Sequence, residues 1–232
     1  MKTAMILAAG RGERLKPLTD FCPKALCAIQ NTPLIEHHLI KLARAGFLRV
    51  IINHAYLGGK IRQYLGQGEQ FGLEIMYSPE PPGGLETGGG IVNALSLLGN
   101  EPFITINADI FTNYDFSLLK SPKSSLAHVV LVNKPTYSES GDFGLSSTHF
   151  IHNIEKKYTF SGIAYYHPEV FKTYKPGRYS MGPLLRSMAA NNQVSGEIHA
   201  GTWFDIGSIE RLRLAEESTA TMRECQNSNS HH

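Results

Sequence analysis

The sequence predicts an α/β protein built on a mostly parallel sheet with helices on both faces. Short apolar runs alternate with segments of helical periodicity through the first half of the chain, as in sheets whose parallel strands are joined by crossover helices. The 232 residues, 42% of them hydrophobic, suit one α/β domain with a sizeable core. Glycine-rich segments directly follow apolar runs, which is typical of loops that bind ligands at strand ends.

The first half of the chain is divided by glycine and proline residues. An apolar run over residues 3–9 predicts a buried strand. The segment 10–24 that follows is predicted to be a long loop, because Pro17 and Pro23 break helices. The same reasoning predicts a helix from Leu34 that stops at Gly46, further helices over residues 57–65 and 90–98, and strands over residues 49–53, 73–77 and 102–107.

The second half predicts a small antiparallel or mixed addition to the sheet, contributing one wall of a cleft. A final helix is expected over residues 209–217 with Ser208 as its N-cap. We therefore expect a single domain over residues 1–217 and a polar tail over residues 218–232. The predicted strands of this half cover residues 126–133, 144–146, 150–152 and 160–166.

Charge and cysteine content exclude several classes of protein. The net charge of +2 gives no basic field for wrapping nucleic acid. No apolar run approaches the roughly 20 residues that a membrane span needs, and the first residues do not resemble a secretory signal, so a cytoplasmic protein without a membrane partner is expected. Three cysteines cannot form a disulfide framework, and Cys22 and Cys27 lack further ligands at zinc-site spacing.

Three segments follow predicted strands directly: residues 10–24, 79–90 and 107–110. Ligands of parallel sheets bind outside the carboxyl ends of the strands. The three segments are therefore expected to line one cleft.

The first of these segments is a glycine loop that carries cations. It is not a dinucleotide fingerprint, because Leu15 stands where the third glycine would follow Gly12 and Pro17 interrupts the helix. It is not a phosphate loop either, because no Gly-Lys-Ser/Thr follows. A glycine turn with nearby cations still suits phosphate, the alternative being a solvated basic turn. The cations are Arg11, Arg14, Lys16 and Lys24.

The second segment, residues 81–90, is very rich in glycine. Ordering glycine costs more backbone entropy than ordering any other residue, so we expect close contact between this backbone and a flat or charged ligand. Glu80 immediately before it could accept N–H donors from a nucleobase; otherwise it is a surface carboxylate.

Two aspartates complete the candidate chemistry. Asp109 follows an apolar strand, and Asp205 lies among the bulky apolar residues 203–206, where a carboxylate needs a partner. Two carboxylates at strand ends suit Mg²⁺, which binds one or two carboxylates together with phosphate oxygens and water. Either aspartate alone could instead cap a helix or form a turn.

These motifs together resemble the sugar-1-phosphate nucleotidyltransferases. The resemblance rests on residues 7–19 with 23–26, residues 84–90, Asn107-Ala108-Asp109 and residues 203–207, which occur in the order of that family. It implies the Rossmann-like three-layer α/β/α fold of nucleotide-diphospho-sugar transferases. The form of residues 85–90 and the short chain are most similar to uridylyltransferases acting on N-acetylmuramic acid α-1-phosphate in bacterial cell-wall recycling.

The resemblance also implies roles for individual residues. A nucleotide-binding part over residues 1–110 and a sugar-binding part over residues 111–205 are expected. Catalytic roles fall on Arg14, Lys24, Asp109 and Asp205, with Mg²⁺ held by Asp109 and Asp205. Nucleotide contacts fall on Leu7, Ala8, Ala9, Gly10, Gly12, Glu80, Gly84, Thr87 and Gly88, and sugar contacts on Gly144, Glu155, Lys156, Ser161 and Gly162.

The implied reaction is attack by a sugar 1-phosphate on the α-phosphorus of UTP with loss of pyrophosphate. Two alternatives stay open: a mannose- or heptose-1-phosphate guanylyltransferase using GTP, and a noncatalytic nucleotide-sugar binding module. A muramic substrate carries a carboxylate, for which Lys156, Lys157 and Arg178 are candidate partners, although each could be an ordinary solvated charge. Larger relatives often assemble through a second domain, so a monomer is expected here.

Overall fold

The computed structural model describes residues 2–119 and 124–229 of the protein. Within them a seven-stranded mixed sheet is covered by helices on both faces. In chain order the strands are β1 (Thr3–Leu7), β2 (Ala28–Ile29), β3 (Thr32–Pro33), β4 (Arg49–His54), β5 (Glu74–Pro79), β6 (Phe103–Asn107), β7 (Ile110–Thr112), β8 (Ala127–Asn133), β9 (Gly144–Leu145), β10 (Ile151–His152), β11 (Tyr158–Tyr166), β12 (Val194–Ile198) and β13 (Trp203–Asp205).

The helices connect and cover these strands. Those between β1 and β6 are crossovers of the parallel part of the sheet, as the alternation in the sequence predicts. No helix in residues 2–119 and 124–229 is long and apolar enough to cross a membrane. The helices are α1 (Leu18–Phe21), α2 (Leu34–Arg44), α3 (Gly58–Leu65), α4 (Glu86–Leu98), α5 (Met181–Ala190) and α6 (Ile209–Asn229).

The main sheet has the strand order β12-β8-β11-β6-β1-β4-β5. Strands β6, β1, β4 and β5 are parallel neighbours, β11 is antiparallel to both β6 and β8, and β12 is parallel to β8. The second half of the chain thus extends the sheet in mixed fashion, as predicted. The parallel strands bring their carboxyl ends to one edge, where the loops after β1, β5 and β6 meet.

The core lies on both faces of the sheet because strand residues alternate between them. In β1, Ala4 and Ile6 face a cluster that α2 and α3 cover, whereas Met5 faces a cluster that α4 and α5 cover. The strands are therefore nearly continuous apolar runs, as expected when helices bury both faces. A third, smaller cluster packs Ala215 of α6 against Leu15 and Ile29 near the amino-terminal loop.

Several boundaries differ from the sequence prediction. The last helix runs to Asn229 instead of ending at residue 217, so most of the predicted tail is helical, and residues 230–232 lie outside the described part. Its predicted N-cap is confirmed, because the Arg211 N–H donates to Ser208 Oγ at 3.3 Å. Helix α5, strand β12 and the short pairs β2–β3 and β7–β13 were not predicted.

The largest correction concerns the glycine cluster before α4. The helix begins at Glu86, so Gly88 and Gly89 lie inside it and are buried. A Cβ on Gly89 would lie 2.0 Å from the Gly177 carbonyl oxygen, and one on Gly88 would lie 2.7 Å from the Tyr179 ring. These glycines let another chain segment pack closely against the helix, and the expected ligand contact does not explain them.

We predict that Gly89→Ala lowers the free energy of unfolding by about 1–3 kcal/mol, because the added methyl group collides with a backbone carbonyl. Gly59→Ala is the matched control: Gly59 is an exposed helical glycine, and a Cβ there meets nothing within 4 Å. It should leave stability unchanged or raise it by up to about 1 kcal/mol. Denaturant unfolding of both variants checks this, and equal effects would contradict the packing explanation.

Candidate active site

A cavity of about 350 Å³ opens at the carboxyl ends of the parallel strands. All three segments that follow strands contribute to its lining, as the sequence predicts. Asn53 at the end of β4 also contributes, although the sequence analysis did not single it out. The predicted site residues that line the cavity are Leu7, Ala8, Ala9, Gly10, Lys24, Gly84, Thr87 and Asp109.

A second cavity of about 220 Å³ adjoins the first and shares Leu7, Thr87 and Asn107 with it. Its other walls are formed mainly by the second half of the chain. They include the aromatic residues Phe143 and Phe160. A ligand with two linked moieties could therefore place one in each cavity, with the link between them beside the shared residues.

A buried hydrogen-bond relay fixes the loops around the first cavity. The Ala8 N–H donates to Asn53 Oδ1 at 2.8 Å, and Asn53 Nδ2 donates to Glu80 Oε1 at 2.6 Å. The Leu85 N–H then donates to Glu80 Oε2 at 2.6 Å. The relay joins the chain after β1, the end of β4 and the loop before α4.

This relay changes the role expected for Glu80. The residue is only 9% exposed, and both carboxylate oxygens already accept hydrogen bonds from Asn53 and Leu85. A Cβ on Gly90 would also collide with this carboxylate at 2.5 Å. We therefore interpret Glu80 as a positioning residue for the loop rather than a direct acceptor of base N–H groups.

Asp109 forms an ion pair with Lys24 at the edge of the first cavity. The aspartate lies in the tight turn between β6 and β7, and Lys24 lies in a short 3₁₀ turn after Pro23. Lys24 Nζ lies 2.5 Å from Asp109 Oδ2, and the lysine side chain is only 12% exposed. A cation and a carboxylate predicted from separate motifs thus meet in one place.

Asp205 reaches the same region through the short ladder between β7 and β13. In this ladder Asp205 pairs with Ile110, and the Ile206 N–H donates to the Asp109 carbonyl at 2.8 Å. The carboxylate of Asp205 accepts a hydrogen bond from Arg211 Nη1 at 2.6 Å. Arg211 also lies 3.7 Å from the centre of the Tyr137 ring, and the sequence analysis missed it because only tertiary structure brings α6 here.

The electrostatics of the two aspartates are linked. Burial raises the pKa of Asp205 above its ordinary value of 3.8, and the negative charge of Asp109 raises it further. Lys24, Arg211 and Arg14 act in the opposite direction without reversing the shift. The surroundings of Asp205 thus make its ionisation less favourable than in water, and a further cation nearby would favour it.

This arrangement fits a divalent metal. Among the described residues, no group of three or more His, Cys, Asp or Glu side chains could hold a metal alone. The protein instead offers two carboxylates in each other's field, Asp109 and Asp205, beside a cavity that can admit phosphate oxygens. Such a donor set matches magnesium, which usually completes its octahedral shell with substrate and water.

Arg14, Gly12 and Gly88 line neither of the two cavities. Arg14 is exposed and its guanidinium lies beside Gly207, where an added Cβ would approach it to 3.0 Å. Gly12 adopts a left-handed conformation with φ of 72°, and its carbonyl accepts a hydrogen bond from Thr19 Oγ1 at 2.8 Å. Gly12 thus shapes the loop, whereas Arg14 acts on the site through its charge on Asp205.

The five residues assigned to the sugar are not among those lining either cavity. Glu155 and Lys156 are exposed, and a Cβ on Gly144 would collide with His152 at 2.1 Å, so that glycine serves packing. Ser161 and Gly162 lie closer, at the bulge of β11 between Phe160 and Ile163. Ser161 is fully buried, and Gly162, with φ of 85°, packs against the cavity residue Asn107.

The three-layer fold, the glycine loop and the charged pairs at the strand ends together define a nucleotide-binding transferase. The chain belongs to the nucleotidyl transferase family, whose model matches residues 3–221. It is 46% identical to N-acetylmuramate alpha-1-phosphate uridylyltransferase of Neisseria meningitidis, over 92% of this chain and 96% of that protein. The enzyme of the same name from Caulobacter vibrioides is 30% identical, over 94% of this chain and 97% of the relative.

Solved structures support the fold. HddC from Yersinia pseudotuberculosis superposes with a TM-score of 0.78 at 22% identity, covering 94% of this chain and all of that one. The predicted nucleotide-diphospho-sugar transferase fold is thus confirmed.

We predict that Asp205→Asn raises the unfolding temperature at pH 7 in the presence of a chelator. A raised carboxyl pKa means that ionisation destabilises the native state at pH values above that pKa, and asparagine removes this penalty. The gain should shrink as the pH falls towards the ordinary value of 3.8 and should vanish only below it, where the carboxyl is neutral in both states.

Asp115→Asn is the matched control, because hydrogen bonds with Ser117 lower the pKa of this exposed aspartate. Substitution there should not stabilise the protein. Thermal unfolding followed by circular dichroism between pH 4 and pH 8 measures both variants. An unfolding temperature of Asp205→Asn below that of wild type at pH 7 would contradict the prediction. It would show that the ion pair with Arg211 stabilises the native state more than burial and the charge of Asp109 destabilise it.

Proposed function

We propose that the protein transfers a uridylyl group from UTP to N-acetylmuramic acid α-1-phosphate, giving the UDP-sugar and pyrophosphate. The observation that carries the proposal is the Lys24–Asp109 pair beside the first cavity, with Asp205 in the field of Asp109. The two relatives named above support uridylyl transfer to this sugar, because both match nearly the whole chain. The product belongs to the recycling of cell-wall sugars.

The first cavity is the proposed site of the nucleotide. Its lining includes the backbone at Ala8, Ala9 and Gly10, where N–H groups can approach phosphate. Gly83 and Gly84 both adopt positive φ, of 92° and 71°, and line the same cavity. This glycine segment is proposed to bind the base, and Glu80 holds it in place through the Leu85 N–H.

The second cavity is the proposed site of the sugar. Its walls come mainly from residues 111–205, which supports a division into nucleotide-binding and sugar-binding parts at about residue 110. The residues shared with the first cavity, Leu7, Thr87 and Asn107, then surround the junction where the sugar phosphate meets the nucleotide. Aromatic side chains such as Phe160 can cover the apolar face of a sugar ring.

The attacking group needs no general base. A phosphate monoester loses its second proton near pH 6, at about the pKa given for phosphorylated side chains, so its oxygen is already ionised at neutral pH. The chain must instead hold two anionic substrates together in line. Lys24 is positioned to neutralise the α-phosphate or the attacking phosphate, and Arg14 is proposed to attract the departing pyrophosphate.

Asp109 and Asp205 are the residues that would hold magnesium. When bound, the metal supplies Lewis-acid stabilisation of the charge that develops on the phosphate oxygens. Lys24 and Arg211 each contact one oxygen of these carboxylates, Oδ2 of Asp109 and Oδ2 of Asp205. A metal held by Asp109 would compete with Lys24 for this carboxylate and would leave the lysine available to phosphate.

We predict that the wild-type protein releases pyrophosphate from UTP only when magnesium and a sugar 1-phosphate are both present, and most efficiently with N-acetylmuramic acid 1-phosphate. Asp109→Asn should lower kcat on the order of 10²–10³-fold, because it removes a charge that acts in the transition state. Asp115→Asn, an exposed aspartate outside both cavities, should retain full activity. Pyrophosphate release measures all three proteins, and circular dichroism confirms that they fold.

Three other outcomes of the pyrophosphate assay would contradict the proposed function or the proposed site. A preference for GTP with mannose or heptose 1-phosphate would replace the proposed function by guanylyl transfer. Absence of release with every nucleotide and sugar phosphate would indicate a noncatalytic binding module. Normal turnover by Asp109→Asn would refute the assignment of the active site.

A further inference from the structure

We infer that Arg186 of helix α5 selects the acceptor by binding the carboxylate of its lactyl group. The inference deepens the proposed function and rests on it, because only a muramic acceptor carries this carboxylate. Arg186 was not among the cations considered from the sequence. The structure singles it out by its position in the second cavity.

The guanidinium of Arg186 lies beside the residue one turn earlier in the helix. That residue is Gly182, which also lines the cavity. A Cβ at Gly182 would lie 3.4 to 3.7 Å from the guanidinium atoms, which is ordinary van der Waals contact. The guanidinium therefore lies against this turn of the helix, at the wall of the cavity.

The guanidinium of Arg186 has no partner for its charge among the described residues. No ion pair or side-chain hydrogen bond within residues 2–119 and 124–229 involves its guanidinium. The only other charged residue lining this cavity is Asp142, whose Oδ2 accepts a hydrogen bond from the Phe160 N–H at 2.9 Å. The cavity thus presents one unpaired cation among mostly apolar walls.

The position of Arg186 matches the part of the acceptor that lies away from its phosphate. The phosphate of the acceptor must lie near Lys24 and Asp109, which line the first cavity and not the second. Arg186 lines the second cavity and not the first. It can therefore reach a group on the sugar ring while the phosphate is held at the reacting end.

A carboxylate is the group that such a site recognises best. Arg186 is an exposed residue, and its planar guanidinium can donate two parallel hydrogen bonds to a carboxylate that enters the cavity. Hexose 1-phosphates without an acidic substituent offer no second anion to this cation. The lactyl ether of N-acetylmuramic acid supplies one.

The cations proposed from the sequence are placed less favourably. Lys156 and Lys157 line neither cavity, and Lys157 pairs with Glu155 at 3.3 Å. Arg178 lines the nucleotide cavity and lies 3.4 Å from Glu86. Arg186 therefore replaces them as the partner of the acceptor carboxylate.

The test compares two acceptors that differ only in the lactyl group: N-acetylmuramic acid 1-phosphate and N-acetylglucosamine 1-phosphate. Arg186→Gln should lower kcat/KM for the muramic acceptor by about 10–100-fold, mainly through KM, because one charged hydrogen-bonding partner is lost. Its kcat/KM for the glucosamine acceptor should stay within about twofold of wild type. For the muramic acceptor, the kcat/KM of Arg186→Lys should lie between those of wild type and Arg186→Gln, since lysine keeps the charge without the planar arrangement of donors.

Arg44→Gln, an exposed arginine that lines neither cavity, is the matched control and should leave both values unchanged. Equal losses of Arg186→Gln with both acceptors, or no loss with either, would overturn the role of Arg186 and leave the proposed function standing. Failure of the wild-type protein to use the muramic acceptor, with activity on another sugar phosphate, would overturn the proposed function and with it this inference. Thermal unfolding of Arg186→Gln verifies its fold.

Discussion

The site is organised around the cost of placing two carboxylates, Asp109 and Asp205, in each other's field. Hydrogen bonding between β7 and β13 forces them together, and burial of Asp205 increases the cost. The chain offsets it with one cation for each carboxylate, Lys24 and Arg211. Because the net pKa of Asp205 remains raised, the compensation is incomplete, and a bound divalent metal would complete it.

The rest of the architecture places ligands around this charge. The hydrogen-bond relay from Ala8 through Asn53 and Glu80 to Leu85 joins the chain after β1 to the loop before α4. Both segments border the proposed nucleotide cavity. Helix α4 packs closely against residues 177–179, which precede α5. Helix α5 follows these residues and carries Arg186, the proposed contact with the acceptor.

Local sequence patterns predicted the parallel strands and the cleft that the loops at their carboxyl ends line, because these features depend on short apolar runs and on a general rule of sheet geometry. The direct ion pair of Lys24 with Asp109 was not predicted. Patterns failed where a residue's neighbours are distant in sequence. The glycines of α4 face residues 177–179, which no local pattern reveals. Arg211 and Arg186 were missed for the same reason: each is one cation on a helix until tertiary packing places it at the site.

A crystal structure with magnesium and a nonhydrolysable UTP analogue tests the arrangement of the site most directly. We expect a metal ligated by both Asp109 and Asp205, with the triphosphate against the backbone of Ala8 to Gly10 and Lys24 moved from Asp109 onto phosphate. A triphosphate bound outside the first cavity, or a metal bound without either aspartate, would contradict it.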